Sequence, residues 1–124
     1  MKIYPKVLAC DFDGTLAESP NKKNQVGYTT KRKITQKPLP HTVEFIKKIY
    51  AKGWKIVVHS ARSWEDYNSI QEWLKKYHLN RYITDVLCGK FKADIYLDDL
   101  SLNVRDLHYY GLGRFFINAL IGKK

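Results

Sequence analysis

Val7-Leu8-Ala9-Cys10-Asp11-Phe12-Asp13-Gly14-Thr15-Leu16 is the stretch that decides how this chain folds. Four apolar residues in a row read as a short buried strand, and the switch to Asp-x-Asp-Gly marks a turn at its carboxyl end. Asp11 and Asp13 are two positions apart, so in a continuing strand their side chains share a face, and Gly14 allows the sharp turn behind them.

Outward from that strand, residues 17–40 turn polar, with Ser19-Pro20-Asn21, Gly27 and a Lys-rich run; they read as an irregular flap with a small hairpin. Pro40 suits the first turn of a helix. Val43, Ile46 and Tyr50, with Phe45 and Ile49 beside them, supply its apolar stripe until Gly53. Residues 54–59 form a second strand around Ile56-Val57-Val58 and end in Ser60-Ala61-Arg62. Ser63-x-x-Asp66 has capping-box spacing, and Tyr67, Ile70, Leu74 and Tyr77 continue a helical stripe. A third strand is predicted over 82–88 and a fourth over 94–97, running into Asp98-Asp99. A helix with Val104, Leu107 and His108 inward, closed near Gly111, precedes a last strand at 114–117. Strands alternating with helices imply parallel strands joined by right-handed crossovers. The predicted fold class is a three-layer, doubly wound α/β domain with a short flap and no large cap.

The chain has 124 residues, 44% of them hydrophobic, which fits one domain over 1–124 with a single core. A formal charge of +10 attracts anions, whether phosphate esters, nucleic acid or an acidic surface. Lys22, Lys23, Lys31, Arg32 and Lys33 are the local concentration, read either as a solvated face or as a substrate-contacting patch. Cys10 and Cys88 lack metal-ligand spacing and read as reduced core thiols. No signal-like or membrane-length apolar stretch is seen, so a cytoplasmic chain without membrane contact is expected.

Three strand ends carry polar groups: Asp11 and Asp13, then Ser60 and Arg62, then Asp98 and Asp99, with Lys90 and Lys92 just before the last pair. Each has a mundane reading as turn former, helix start or cap. Together they lie where open parallel sheets bind ligands. Four carboxylates at one rim require a cation, and hard oxygen donors favour magnesium over zinc. A carboxylate nucleophile, cationic groups and a second carboxylate as acid/base meet the needs of phosphoryl transfer through an acyl-phosphate.

At Asp11-Phe12-Asp13-Gly14-Thr15-Leu16 the chain resembles the haloacid dehalogenase superfamily of phosphatases, in its small, capless form. Ser60, a lysine near Lys90, and Asp98-Asp99 resemble its later motifs in the expected order, over residues 7 to about 117. The resemblance implies Asp11 as nucleophile and magnesium ligand, and Asp13 as acid/base whose backbone carbonyl also binds the metal. Asp98 would complete the metal site, with Asp99 supporting it. Ser60 would bond the phosphoryl group, and Thr15 would shape the turn beside it. Lys90 or Lys92 would neutralise the phosphate; the freedom of Gly89 favours Lys90, although both stand closer to Asp98 than the family's third motif usually does.

Ser60-Ala61-Arg62 with Asp98-Asp99 is similar to the phosphatase domain of polynucleotide kinase-phosphatases, which implies a nucleic-acid 3′-phosphate as substrate and Arg62 as a contact to it. A pairing of Arg62 with Asp66, four residues on, is the competing reading. Sugar or nucleotide phosphates are the alternative substrates, and a non-catalytic basic module binding nucleic acid is the alternative function. Trp64, Trp73, Tyr28 and Tyr67 read either as base-stacking or as core residues. His41, His59, His78 and His108 have no ligand spacing.

Overall fold

The structure, a computed structural model, describes residues 6–20 and 33–109. The interior of the flap, the basic residues Lys22 to Arg32, Tyr28, Gly111 and the predicted strand at 114–117 lie outside the described residues, as does the side chain of His108.

Strand β1 is Val7–Cys10, β2 is Lys55–His59 and β3 is Asp85–Leu87. All pair in parallel in the order β1-β2-β3, with Cys10 beside Val58 and Val58 beside Val86. That register stacks Leu8 with Ile56, and Cys10 with Val58 and Val86, on one face, which is where the core lies. The opposite face carries exposed Val7, Ala9 and Leu87, so the strands alternate rather than burying both faces. The parallel α/β class agrees with the prediction. Strand order runs in sequence throughout the described sheet, with no reversal.

Helix α1, Pro40–Ala51, starts with Pro at its first turn and packs on β2; Thr42, Phe45, Ile46 and Ile49 are buried. Tyr50, assigned to the inward stripe from the sequence, is instead exposed and meets Tyr82 edge-on at 5.1 Å. Gly53, at φ 90°, adopts the left-handed turn that closes the helix. A 3-10 turn at Trp64–Asp66 leads into α2, Tyr67–Lys76, which packs on β3 through Ile70, Trp73 and Leu74. Ser63 Oγ accepts from Glu65 N at 3.3 Å, so the expected capping box is a tighter serine turn that leaves Asp66 buried. Helix α3, Val104–Tyr109, closes against α1. Among the described residues no helix is long and apolar enough to cross a membrane.

One predicted element is absent. Residues 94–97 form no strand, and their apolar side chains stand in solvent, Ile95 at 84% and Leu97 at 101% exposure. The reason is local: Tyr96 folds back on the segment before it. Its hydroxyl donates to the Phe91 carbonyl at 2.5 Å and accepts from Ala93 N at 3.1 Å, while its ring lies 4.4 Å from Lys90 Nζ. These contacts hold residues 91–96 in a local fold of their own, away from the sheet.

Candidate active site

Phe12 is the peg that orients the site. It is fully buried and meets Trp73 edge-on at 4.9 Å, so the residues on either side of it, Asp11 and Asp13, are turned toward the rim. The turn behind them is wound chiefly on one carbonyl: Phe12 O accepts from the backbone N–H groups of Thr15, Leu16 and Ala17 at 3.2, 3.0 and 2.9 Å. Gly14 supplies the positive φ, 79°, that this winding requires. Thr15 is held from α1, whose Thr42 hydroxyl donates to the Thr15 carbonyl at 2.5 Å.

The ends of β2 and β3 are laced together by main-chain bonds. Ser60 N donates to Leu87 O at 2.8 Å, Lys90 N to Ser60 O at 2.9 Å, and Gly89 N to Arg62 O at 2.8 Å. The Ser60 hydroxyl is fully buried and accepts from Arg62 N at 3.0 Å, which shapes the turn after β2. Asp11 Oδ1 accepts from Phe12 N at 2.9 Å. Burial pushes the Asp11 carboxyl above its ordinary value, opposed by the Phe12 N–H and by the positive charge of Lys90, with Asp13 adding to the rise. Lys92 is exposed. Neighbouring Cys10 is an unpaired buried thiol; burial, reinforced by Asp11, pushes it up to about 12, which suits a packing role.

Asp13 is engaged on both oxygens. Arg62 Nε donates to Oδ2 at 2.8 Å and Nη2 to Oδ1 at 2.9 Å, a two-pronged pair in which the side chains are 19% and 27% exposed. Arg62 Nη1 also reaches Asp66 Oδ2 at 3.4 Å. Burial pulls the guanidinium down, but its bonds to Asp13 and Asp66 outweigh this and leave it above its ordinary value. Beyond the contact to Asp66 that the sequence spacing allows, the principal partner of Arg62 is Asp13, 49 residues away.

Gln36 completes the cluster, and nothing in the sequence singled it out. Its side-chain amide donates to Asp13 Oδ1 and to the Glu18 carbonyl, both at 2.7 Å, and its Oε1 accepts from Arg62 Nη2 at 3.1 Å. Its own carbonyl accepts from the Trp73 indole at 2.8 Å. The flap limbs that deliver it pair beside the site, with Ala17 bridged to Pro38 and Glu18 N bonded to Lys37 O at 2.8 Å. Every such contact joins residues 18 to 37 apart, beyond the reach of any local pattern.

The expected magnesium set is not gathered. Among the described residues no three acidic, histidine or cysteine side chains form a group that could hold a metal ion. Asp98 and Asp99 are exposed in the segment that failed to become a strand, and Asp98 Oδ1 accepts instead from Leu100 N at 3.1 Å. The Leu100 N–H and the neighbouring Asp99 hold the Asp98 carboxyl below its ordinary value. Both Asp13 side-chain oxygens are committed to Arg62 and Gln36, so of the expected side-chain ligands the Asp11 carboxylate is the one at this rim outside that ion pair.

Of the aromatic residues considered for stacking, Trp73 is core. Trp64 is half exposed and stacks on Tyr67 at 5.9 Å; Gly89 lies so close to it that an added Cβ would sit 3.3 Å from the indole nitrogen.

The chain matches no family model and no curated protein. It is similar in fold to the crystal structure of a structural-genomics target from Vibrio cholerae, with a TM-score of 0.65 and 23% identity, covering 94% of this chain and 97% of that one.

Proposed function

We propose that the chain is a phosphomonoester hydrolase working through an aspartyl-phosphate on Asp11, on a doubly wound scaffold of the haloacid dehalogenase kind. The observation that carries this reading is the joining of three strand ends. Ser60 is bonded to β3 and to Lys90 through the backbone, Arg62 after β2 is paired with Asp13 after β1, and the positive charge of Lys90 opposes the rise of the half-buried Asp11 carboxyl. A carboxylate beside a cation at the carboxyl ends of parallel strands suits an anionic ester better than a neutral one.

In the first half-reaction an Asp11 oxygen bonds to phosphorus while the ester P–O bond breaks. Its electron pair leaves on the ester oxygen, which takes a proton from Asp13. In the second, water gives a proton to Asp13 and bonds to phosphorus, and the pair from the broken acyl-phosphate bond returns to Asp11. Lys90 faces the phosphoryl charge throughout. Arg62 leaves Asp13 for the phosphate, because a phosphate dianion offers the guanidinium the same two-pronged geometry.

Phosphate release from an aryl phosphate, with and without magnesium, tests the reading; Asp11→Asn should abolish it while the fold persists. Release that survives Asp11→Asn refutes the nucleophile. A 3′-phosphorylated oligonucleotide, nucleoside monophosphates and sugar phosphates, assayed side by side, sort the substrate class. The net charge of +10 supports the oligonucleotide.

A further inference from the structure

Gln36 is a polar side chain, 4% exposed, contributed by a flap limb that also buries Ile34. Both ends of its amide are satisfied by the site itself. The Oε1 end faces an Arg62 N–H and the Nε2 end faces a carboxylate and a carbonyl, so only one orientation of the amide is consistent with its neighbours. The Glu18 carbonyl anchors it to the other limb of the flap, and the bond from Trp73 to its own carbonyl anchors its backbone to α2.

The two oxygens of Asp13 are therefore held differently. Oδ1 accepts from both Gln36 and Arg62, whereas Oδ2 accepts from Arg62 Nε alone among the side-chain donors described. When Arg62 turns away, Oδ1 keeps a donor and Oδ2 loses its own. We infer that Gln36 is a positioning residue, which pins Asp13 by Oδ1 so that departure of Arg62 opens Oδ2, and not Oδ1, to the leaving oxygen. This rests on the phosphomonoester reading. A solvent proton then takes the guanidinium's place on Oδ2, passes to the leaving oxygen in the first half-reaction, and is restored from water in the second, so the cycle closes without any further reactant.

Gln36→Met keeps the length of the side chain and removes all three amide hydrogen bonds. Gln36→Glu keeps the acceptor for Arg62 and removes the donor to Asp13. The bond from Trp73 to the Gln36 carbonyl is untouched in either, and the near-ultraviolet dichroism of the chain's aromatic residues reports whether the fold is intact. An alkyl phosphate such as glycerol phosphate needs its leaving oxygen protonated, whereas p-nitrophenyl phosphate hardly does. Both variants should lower kcat/KM on the alkyl ester about tenfold or more and kcat/KM on the aryl ester by less than about threefold, because kcat/KM reports the first half-reaction, the one that differs between the two esters. Equal losses on the two esters, or none on either, overturn the inference.

A second readout does not depend on turnover. The Arg62 Nε–Hε signal in the nuclear magnetic resonance spectrum of the full chain should be slow to exchange, and should broaden or shift in Gln36→Met. An unchanged signal also overturns the inference. Should the unaltered protein hydrolyse neither ester while that signal still depends on Gln36, the phosphatase reading falls and the hold of Gln36 on the ion pair stands.

Discussion

Removing Arg62 isolates the contact that ties the two halves of the site together. Arg62→Met retains most of the aliphatic stem and deletes the two-pronged bond to Asp13, the bond to Gln36 Oε1 and the longer contact to Asp66. Breaking a buried pair costs about 3–5 kcal/mol because the partner charge is left unpaired. Here both side chains keep some exposure, 19% and 27%, so water relieves part of that penalty. Asp66, only 6% exposed, loses its cation as well. The lower end of that range, about 3 kcal/mol, follows. For a domain of this length each kcal/mol moves Tm by roughly 4 °C, so Arg62→Met should lower Tm by about 12 °C. Thermal unfolding followed by tryptophan fluorescence measures it. In a double-mutant cycle with Asp13→Asn the two changes should fall short of additivity by about 2 kcal/mol. Strict additivity, or a Tm drop below about 2 °C, would refute the pairing and with it the resting state described for Asp13.

Asp11→Asn should raise stability at neutral pH even as it removes the nucleophile. Burial lifts the folded carboxyl above its unfolded value, so the unfolded chain releases this proton first as pH rises. The stability penalty is absent below the unfolded value and reaches its full size above the folded one. The gain in Tm from Asp11→Asn should therefore disappear below the ordinary carboxylate range; a gain independent of pH contradicts this cause. Gly14→Ala forces a Cβ at φ 79°, 3.1 Å from Ser19 Oγ, and should cost about 1–2 kcal/mol even if Ser19 rotates away, as read by urea unfolding. Leu97→Lys should change stability by no more than about 0.5 kcal/mol, since that side chain is fully exposed; a loss above about 2 kcal/mol means that the segment packs as the strand its sequence suggests.

The chain alone determined the first strand, the Asp-x-Asp-Gly turn, the two amphipathic helices and the parallel pairing of the strands they join. The strand, the turn and the helices depend on residues within a few positions of one another, where periodicity and turn chemistry act directly, and the parallel pairing follows from the alternation of strands with helices. Tertiary structure decided the rest. Tyr96 had the composition of a strand residue at 94–97, yet its hydroxyl and ring found partners at Phe91, Ala93 and Lys90, and Asp98 stayed with that loop. Arg62 had a partner four residues away in Asp66 and paired chiefly with Asp13, because the β1–β2 register brings those turns side by side. Gln36 carried no local signal at all; it matters because the flap's two limbs meet at Ala17 and Pro38 and leave its amide no other company. Contacts between distant parts of a chain are set by packing geometry, and no short window of sequence contains that geometry.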